Sequence, residues 1–69
     1  MSRLKLLGKN IAKYRQAKKL SQEALAEIVD LSREYITRIE NGQKNISLKK
    51  LFCIADALEI DFCQLTNFK

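Results

Sequence analysis

The chain has 69 residues, with 13 Lys and Arg against 8 Asp and Glu, a net charge of +5, no histidine and two cysteines. That length holds one domain with a small core, the kind that relies on tight helix packing, a metal, disulfides or a second subunit. Without His, Cys53 and Cys63 supply too few ligands for a zinc site on one chain. No apolar run approaches the ~20 residues a membrane span needs.

The charge is unevenly spread: residues 1–20 carry +7, residues 21–40 carry −3 and residues 41–69 carry +1. Leu4, Leu6 and Leu7 are followed at once by Gly8-Lys9-Asn10, which is not the pattern of a signal peptide. The expected location is the cytoplasm, where both cysteines are reduced packing or surface residues. A redox switch is the sharper alternative, and nothing in the sequence favours it. The initial Met reads as the start of an intact short reading frame. With no Pro, repeat or linker, residues 1–69 form a single all-α domain.

A first helix is predicted over about 3–18, with Leu4, Leu7, Ile11 and Tyr14 on its inner face. Lys5, Lys9 and Lys13 recur every fourth residue as a basic stripe, and Arg15, Lys18 and Lys19 gather at its end. A second helix, N-capped by Ser21, covers about 22–29 with apolar or small residues at Leu25, Ala26, Ile28 and Val29. A third covers about 33–41, N-capped by Ser32, with Ile36 and Ile39 facing one way and Tyr35 on their border. Only Asp30, Leu31 and Ser32 separate these two helices, enough for nothing but an abrupt change of direction. That is the helix-turn-helix unit, whose second helix can enter the DNA major groove. Asn41-Gly42 ends it with Gly at the position after the cap. A fourth helix follows Ser47 and ends near Leu58, with Leu48, Leu51, Ile54, Ala55 and Leu58 inward. A last one, 62–66, is signalled by Asp61 as N-cap and by Phe62 and Leu65.

The face of the third helix opposite its isoleucines holds Arg33, Glu34, Thr37 and Arg38. Each has a partner on a base edge: Arg pairs with guanine O6/N7, Glu accepts from cytosine N4, and Thr offers a methyl or a hydroxyl. The plain alternative is a solvated face with a Glu34–Arg38 pair, worth a few tenths of a kcal/mol. The free N–H groups of this helix's first turn, with Ser32, favour a phosphate. Lys18, Lys19 and Lys44 flank the motif and are expected on the DNA backbone, where they would add sequence-independent, salt-sensitive affinity. Tyr35 and Asn41 are counted with the backbone contacts.

These pieces together resemble the Cro/phage-repressor class of helix-turn-helix proteins, the XRE family. The match runs from about Gly8 to Leu65 through LSQEALA (20–26), LSREYITRIENG (31–42) and SLKKLFCIADAL (47–58). The run REYITRIENGQKNISL (33–48) is also similar to the controller proteins of restriction–modification systems. The resemblance implies a five-helix, lambda-repressor-like DNA-binding domain that acts on transcription. It implies that Gln22 contacts a phosphate and braces the recognition helix, and that Lys44 and Asn45 touch phosphates from the following loop. It implies an ion pair between Arg15 and Glu40, against the alternative that Arg15 is a surface charge. Ala26 stands where the two helices of the motif come closest, so a larger side chain would force them apart. The family usually has Gly where this chain has Asp30, a residue that tolerates the left-handed backbone required there.

Phe52, Phe62, Leu65 and Phe68 exceed what five short helices can bury. Phe62, Leu65 and Phe68 are therefore expected at a homodimer interface, with closing the bottom of the core as the alternative. A symmetric dimer would present two recognition helices about 34 Å apart to a palindromic site. The expected function is a sequence-specific transcriptional regulator of operator DNA. A protein-interaction or antitoxin-type adaptor on the same fold is the alternative, and a recognition face with two arginines argues against it. No nucleophile–base pair suggests an enzyme. No cofactor, metal or small-molecule ligand is expected, because no sensor segment accompanies the motif. Restriction–modification, phage, plasmid and toxin–antitoxin settings, repression and activation are all compatible with these residues.

Overall fold

Serines decide where four of the helices begin. Residues 2–68 are described in a computed structural model, with α1 at Arg3–Ala17, α2 at Gln22–Ile28, α3 at Arg33–Glu40, α4 at Leu48–Ala57 and α5 at Phe62–Leu65. Ser2, Ser21, Ser32 and Ser47 hold extended backbone, and each Oγ accepts the N–H three residues on at 3.0–3.2 Å. Each thereby satisfies one of the free donors of a helix start. At Asp61 the reciprocal arm closes instead: the Asp61 N–H donates to Gln64 Oε1 at 2.9 Å.

The helix ends share one geometry as well. Lys19, Asp30, Gly42 and Glu59 adopt φ of 58, 57, 72 and 58°. Each donates its N–H three residues back, to Gln16, Glu27, Ile39 and Asp56. The next residue donates five back, to Arg15, Ala26, Arg38 and Ala55. These are Schellman closures, which reverse the chain within two residues and satisfy carbonyls at the helix end. Asp30 in the motif's turn has the left-handed backbone expected of it. Lys19 and Glu59 show the same conformation without any glycine to announce it.

With starts and stops so defined, every helix delivers a large side chain to one core. Ile11, Leu25, Ile36, Ile54 and Leu65 come from α1 to α5 in turn and are wholly buried, as is Leu58 after α4. Burial of such side chains contributes about 1.5–3 kcal/mol each. Ala26 is buried at 2% exposure between the helices of the motif.

Gly8 is also buried, for a reason invisible in the local sequence. A Cβ there would stand 2.4 Å from the Glu40 carbonyl oxygen and 2.5 Å from that of Ile39. Backbone of α1 therefore lies directly on the last turn of α3.

Four apolar residues sit differently from the sequence reading. Leu4, Ile28 and Leu48 are 36, 58 and 60% exposed. Leu4 and Leu48 lie in first turns that overhang the core, and Ile28 lies roughly 100° round the helix from the face of Leu25, Ala26 and Val29. Leu65, expected at a subunit interface, is fully buried in the core. The Asn10 amide holds this end down, donating to the carbonyls of Leu65 at 2.8 Å and Asn67 at 3.1 Å. Among the described residues no helix is long and apolar enough to cross a membrane.

Candidate nucleic-acid interface

The recognition helix α3 is fixed from behind by a charge. Arg15 Nε donates to Glu40 Oε2 at 2.7 Å and its terminal nitrogen to Oε1 at 3.1 Å. This is the fork-on-fork geometry that makes Arg–carboxylate pairs strong. The side chains are 11 and 5% exposed. Arg15 also donates to the Leu20 carbonyl at 2.8 Å, so α1, the α1–α2 turn and the end of α3 meet at one guanidinium.

Gln22 completes this junction. Its Nε2 donates to Glu40 Oε1 at 2.9 Å, and its Oε1 accepts the Thr37 hydroxyl at 2.8 Å. Thr37 Oγ1 also lies 3.0 Å from the Arg33 carbonyl, the i−4 position of its own helix. Gln22 thus braces α3 from α2, as the resemblance implied. The Thr37 hydroxyl, expected at the bases, faces Gln22 and the Arg33 carbonyl. A hydroxyl has one proton, and here that proton is used inside the chain.

The other three residues of the base-reading set stand outward. Arg33, Glu34 and Arg38 are exposed, and the Arg38–Glu34 pair is loose at 3.7 Å, with side chains 53 and 78% exposed. A pair that open is worth a few tenths of a kcal/mol. Both groups are therefore free to exchange it for another partner.

Around this face the expected backbone contacts fall into two groups. Ser32 caps α3 through its lone pair, which leaves its proton for an outside acceptor. Asn41 is the exposed C-cap residue. Lys44 Nζ lies 5.5 Å from the centre of the Tyr35 ring, and the Tyr35 hydroxyl donates to the Asn45 carbonyl at 3.1 Å. The Tyr35 ring and hydroxyl thus lie against the loop that carries Lys44 and Asn45. The Lys18 ammonium is paired with Glu59 in the α4–α5 turn, in a pair open to water. Lys19 is exposed at the left-handed turn.

Away from the motif, Phe52 is 47% and Phe68 37% exposed, and the rings of Phe52 and Phe62 lie 4.5 Å apart, tilted by 37°. Leu48, one turn before Phe52, widens this apolar surface. No set of three or more metal-ligating side chains is grouped among the described residues.

The likeness to known proteins extends over the same elements. The pattern of the helix-turn-helix family HTH_3 matches residues 11–65. The control protein C.SmaI of Serratia marcescens is 43% identical over 53 residues, 77% of this chain and 63% of its own. The chain thus spans under two thirds of that relative's length. The crystal structure of the restriction–modification controller protein C.AhdI from Aeromonas hydrophila superposes with a TM-score of 0.87 at 40% identity, covering 90% of this chain and 94% of C.AhdI. The biofilm regulator SinR, in a structure with DNA, superposes with a TM-score of 0.81 at 31% identity, over 88% of this chain and 98% of SinR. With the motif, its turn and its Arg15–Glu40 junction in place, the chain belongs to the XRE-type HTH_3 family of helix-turn-helix regulators.

Proposed function

We propose that this chain is a sequence-specific DNA-binding transcription regulator that sets α3 into the major groove of a palindromic operator as a homodimer. The observation that carries the reading is the outer face of α3. Three side chains with base-edge chemistry, Arg33, Glu34 and Arg38, project from a helix whose opposite side is locked to α1 and α2. A rigid helix presenting exposed donors and an exposed acceptor is what reading a groove edge requires. Ser32, Asn41, Lys44, Asn45, Gln22 and Lys19 surround that face and contact phosphates, which fix register and add salt-sensitive affinity. Similarity to controller proteins makes control of a restriction–modification operon the leading biological setting.

The dimer forms through the apolar surface around Phe52, Phe62 and Phe68, which leaves both recognition helices facing one side of the duplex. Leu65 acts from beneath, as core. Phe52→Asp is expected to lower the dimer population in sedimentation while the helical circular-dichroism signal is kept. An unchanged distribution would place the subunit contact elsewhere.

The function is tested by selecting binding sites from a random duplex library at near-physiological salt. Recovery of one palindromic consensus is the expected result. Recovery of only salt-sensitive background would remove the regulator reading and favour an adaptor that binds protein.

A further inference from the structure

The junction behind α3 contains an orientation that only one charge can set. An ionised carboxylate accepts and never donates. Glu40 lies between Arg15 and Gln22, so the Gln22 group facing it at 2.9 Å must be the NH2 end. The carboxamide cannot then be reversed. Its oxygen faces Thr37, where the hydroxyl must be the donor at 2.8 Å. The polarity runs in one direction, from the buried Arg15–Glu40 pair through Gln22 to Thr37. One of the two Nε2 protons of Gln22 is used on Glu40, and the other is left for an acceptor outside this network.

From this geometry we infer that Thr37 is a positioning residue, whose hydroxyl holds the Gln22 carboxamide so that its second N–H is presented to a phosphate of bound DNA. The inference rests on the proposed function for the identity of that acceptor. It assigns Thr37 to sequence-independent affinity, although it sits among base-reading side chains. Thr37 is half-buried, and the Arg33 carbonyl of the preceding turn, 3.0 Å from Oγ1, shares its one proton with Gln22. Oγ1 is carried on a short side chain of the helix and cannot follow Gln22 if the amide swings away. Losing the hydroxyl frees Gln22 to rotate about its Glu40 contact, and a phosphate contact then costs the ordering of a long side chain.

Thr37→Val, Thr37→Ser, Gln22→Ala and the double variant Gln22→Ala/Thr37→Val separate these roles. Binding is read by fluorescence anisotropy on a random-sequence duplex, and the Gln22 side-chain NH2 is followed by nitrogen relaxation in the free protein. The NH2 is expected to be ordered in the unsubstituted chain and in Thr37→Ser, and mobile in Thr37→Val. Random-duplex affinity is expected to fall about fivefold in Thr37→Val, the worth of one hydrogen bond. It falls similarly in Gln22→Ala, with no further loss in the double variant, and recovers in Thr37→Ser. A Gln22 amide that stays ordered in Thr37→Val overturns the inference by itself. So does unchanged random-duplex binding accompanied by altered preference at one base pair, which would return Thr37 to base reading. Failure of the unsubstituted chain to bind any duplex overturns the proposed function, and the relaxation data still decide whether Thr37 holds Gln22.

Discussion

The inner and outer sides of α3 hold polar side chains in opposite ways. Inside, Glu40 and Thr37 are tied by contacts of 2.7 to 3.1 Å to Arg15 and Gln22, on two other helices. Outside, Arg38 and Glu34 face each other at 3.7 Å, open to water. The Arg15–Glu40 pair at the centre of the inner network is satisfied within the chain. The outer pair gives up little when a ligand replaces it. One eight-residue helix therefore has a side that sets its position and a side that remains available.

That contrast is broken most severely at Glu40. Glu40→Ala leaves the Arg15 guanidinium buried without its partner and is expected to cost about 3–5 kcal/mol in urea unfolding. A loss below about 1 kcal/mol would mean that the junction does not hold α3. Gly8→Ala attacks the same region by volume. Despite the better helix propensity of Ala, the clash with the α3 carbonyls is expected to lower stability by about 1–3 kcal/mol. An unchanged melting temperature would show that α1 and α3 can part freely. Asp30→Gly works in the turn and is expected to stabilise the fold by about 1 kcal/mol through relief of the left-handed backbone. Destabilisation would reveal a role for the Asp30 side chain. The smallest effect belongs to the outer pair: Glu34→Ala should change stability by less than about 0.5 kcal/mol. A larger loss would make the outer face structural.

Much of the fold was legible because its signals are local. Ser21, Ser32 and Ser47 announce helix starts, and Ile36 and Ile39 announce an inner face through spacing alone. Asp30 and Gly42 mark turns by residue type. What was not legible has a common cause, since each contact depends on what packs from a distant part of the chain. Thr37 is a polar residue among exposed ones, and only the approach of Gln22 turns it inward. Lys18 reads as free until the α4–α5 turn brings Glu59 beside it. Leu65 looks like surplus apolar surface until Asn10 draws the tail onto α1. Gly8 carries no local signal of its role, and only the backbone of α3 lying against it explains the missing side chain. Arg33, Glu34 and Arg38 are exposed, on the face that helical spacing sets opposite Ile36 and Ile39. The contacts of the Thr37 and Tyr35 hydroxyls, to Gln22 and to the Asn45 carbonyl, carry no signal in the spacing of α3 itself.

The central claim is that the outer face of α3 reads bases from a scaffold that its inner face holds rigid. It is tested most directly by titrating the unsubstituted chain and Arg38→Ala against every single-base-pair variant of the selected operator. The account predicts equal folding stability, a loss of about 1–3 kcal/mol on the preferred site and a flattened preference at one symmetric position in each half-site. A uniform loss on all variants, with every preference intact, would make Arg38 a phosphate contact and contradict the assignment of the reading face.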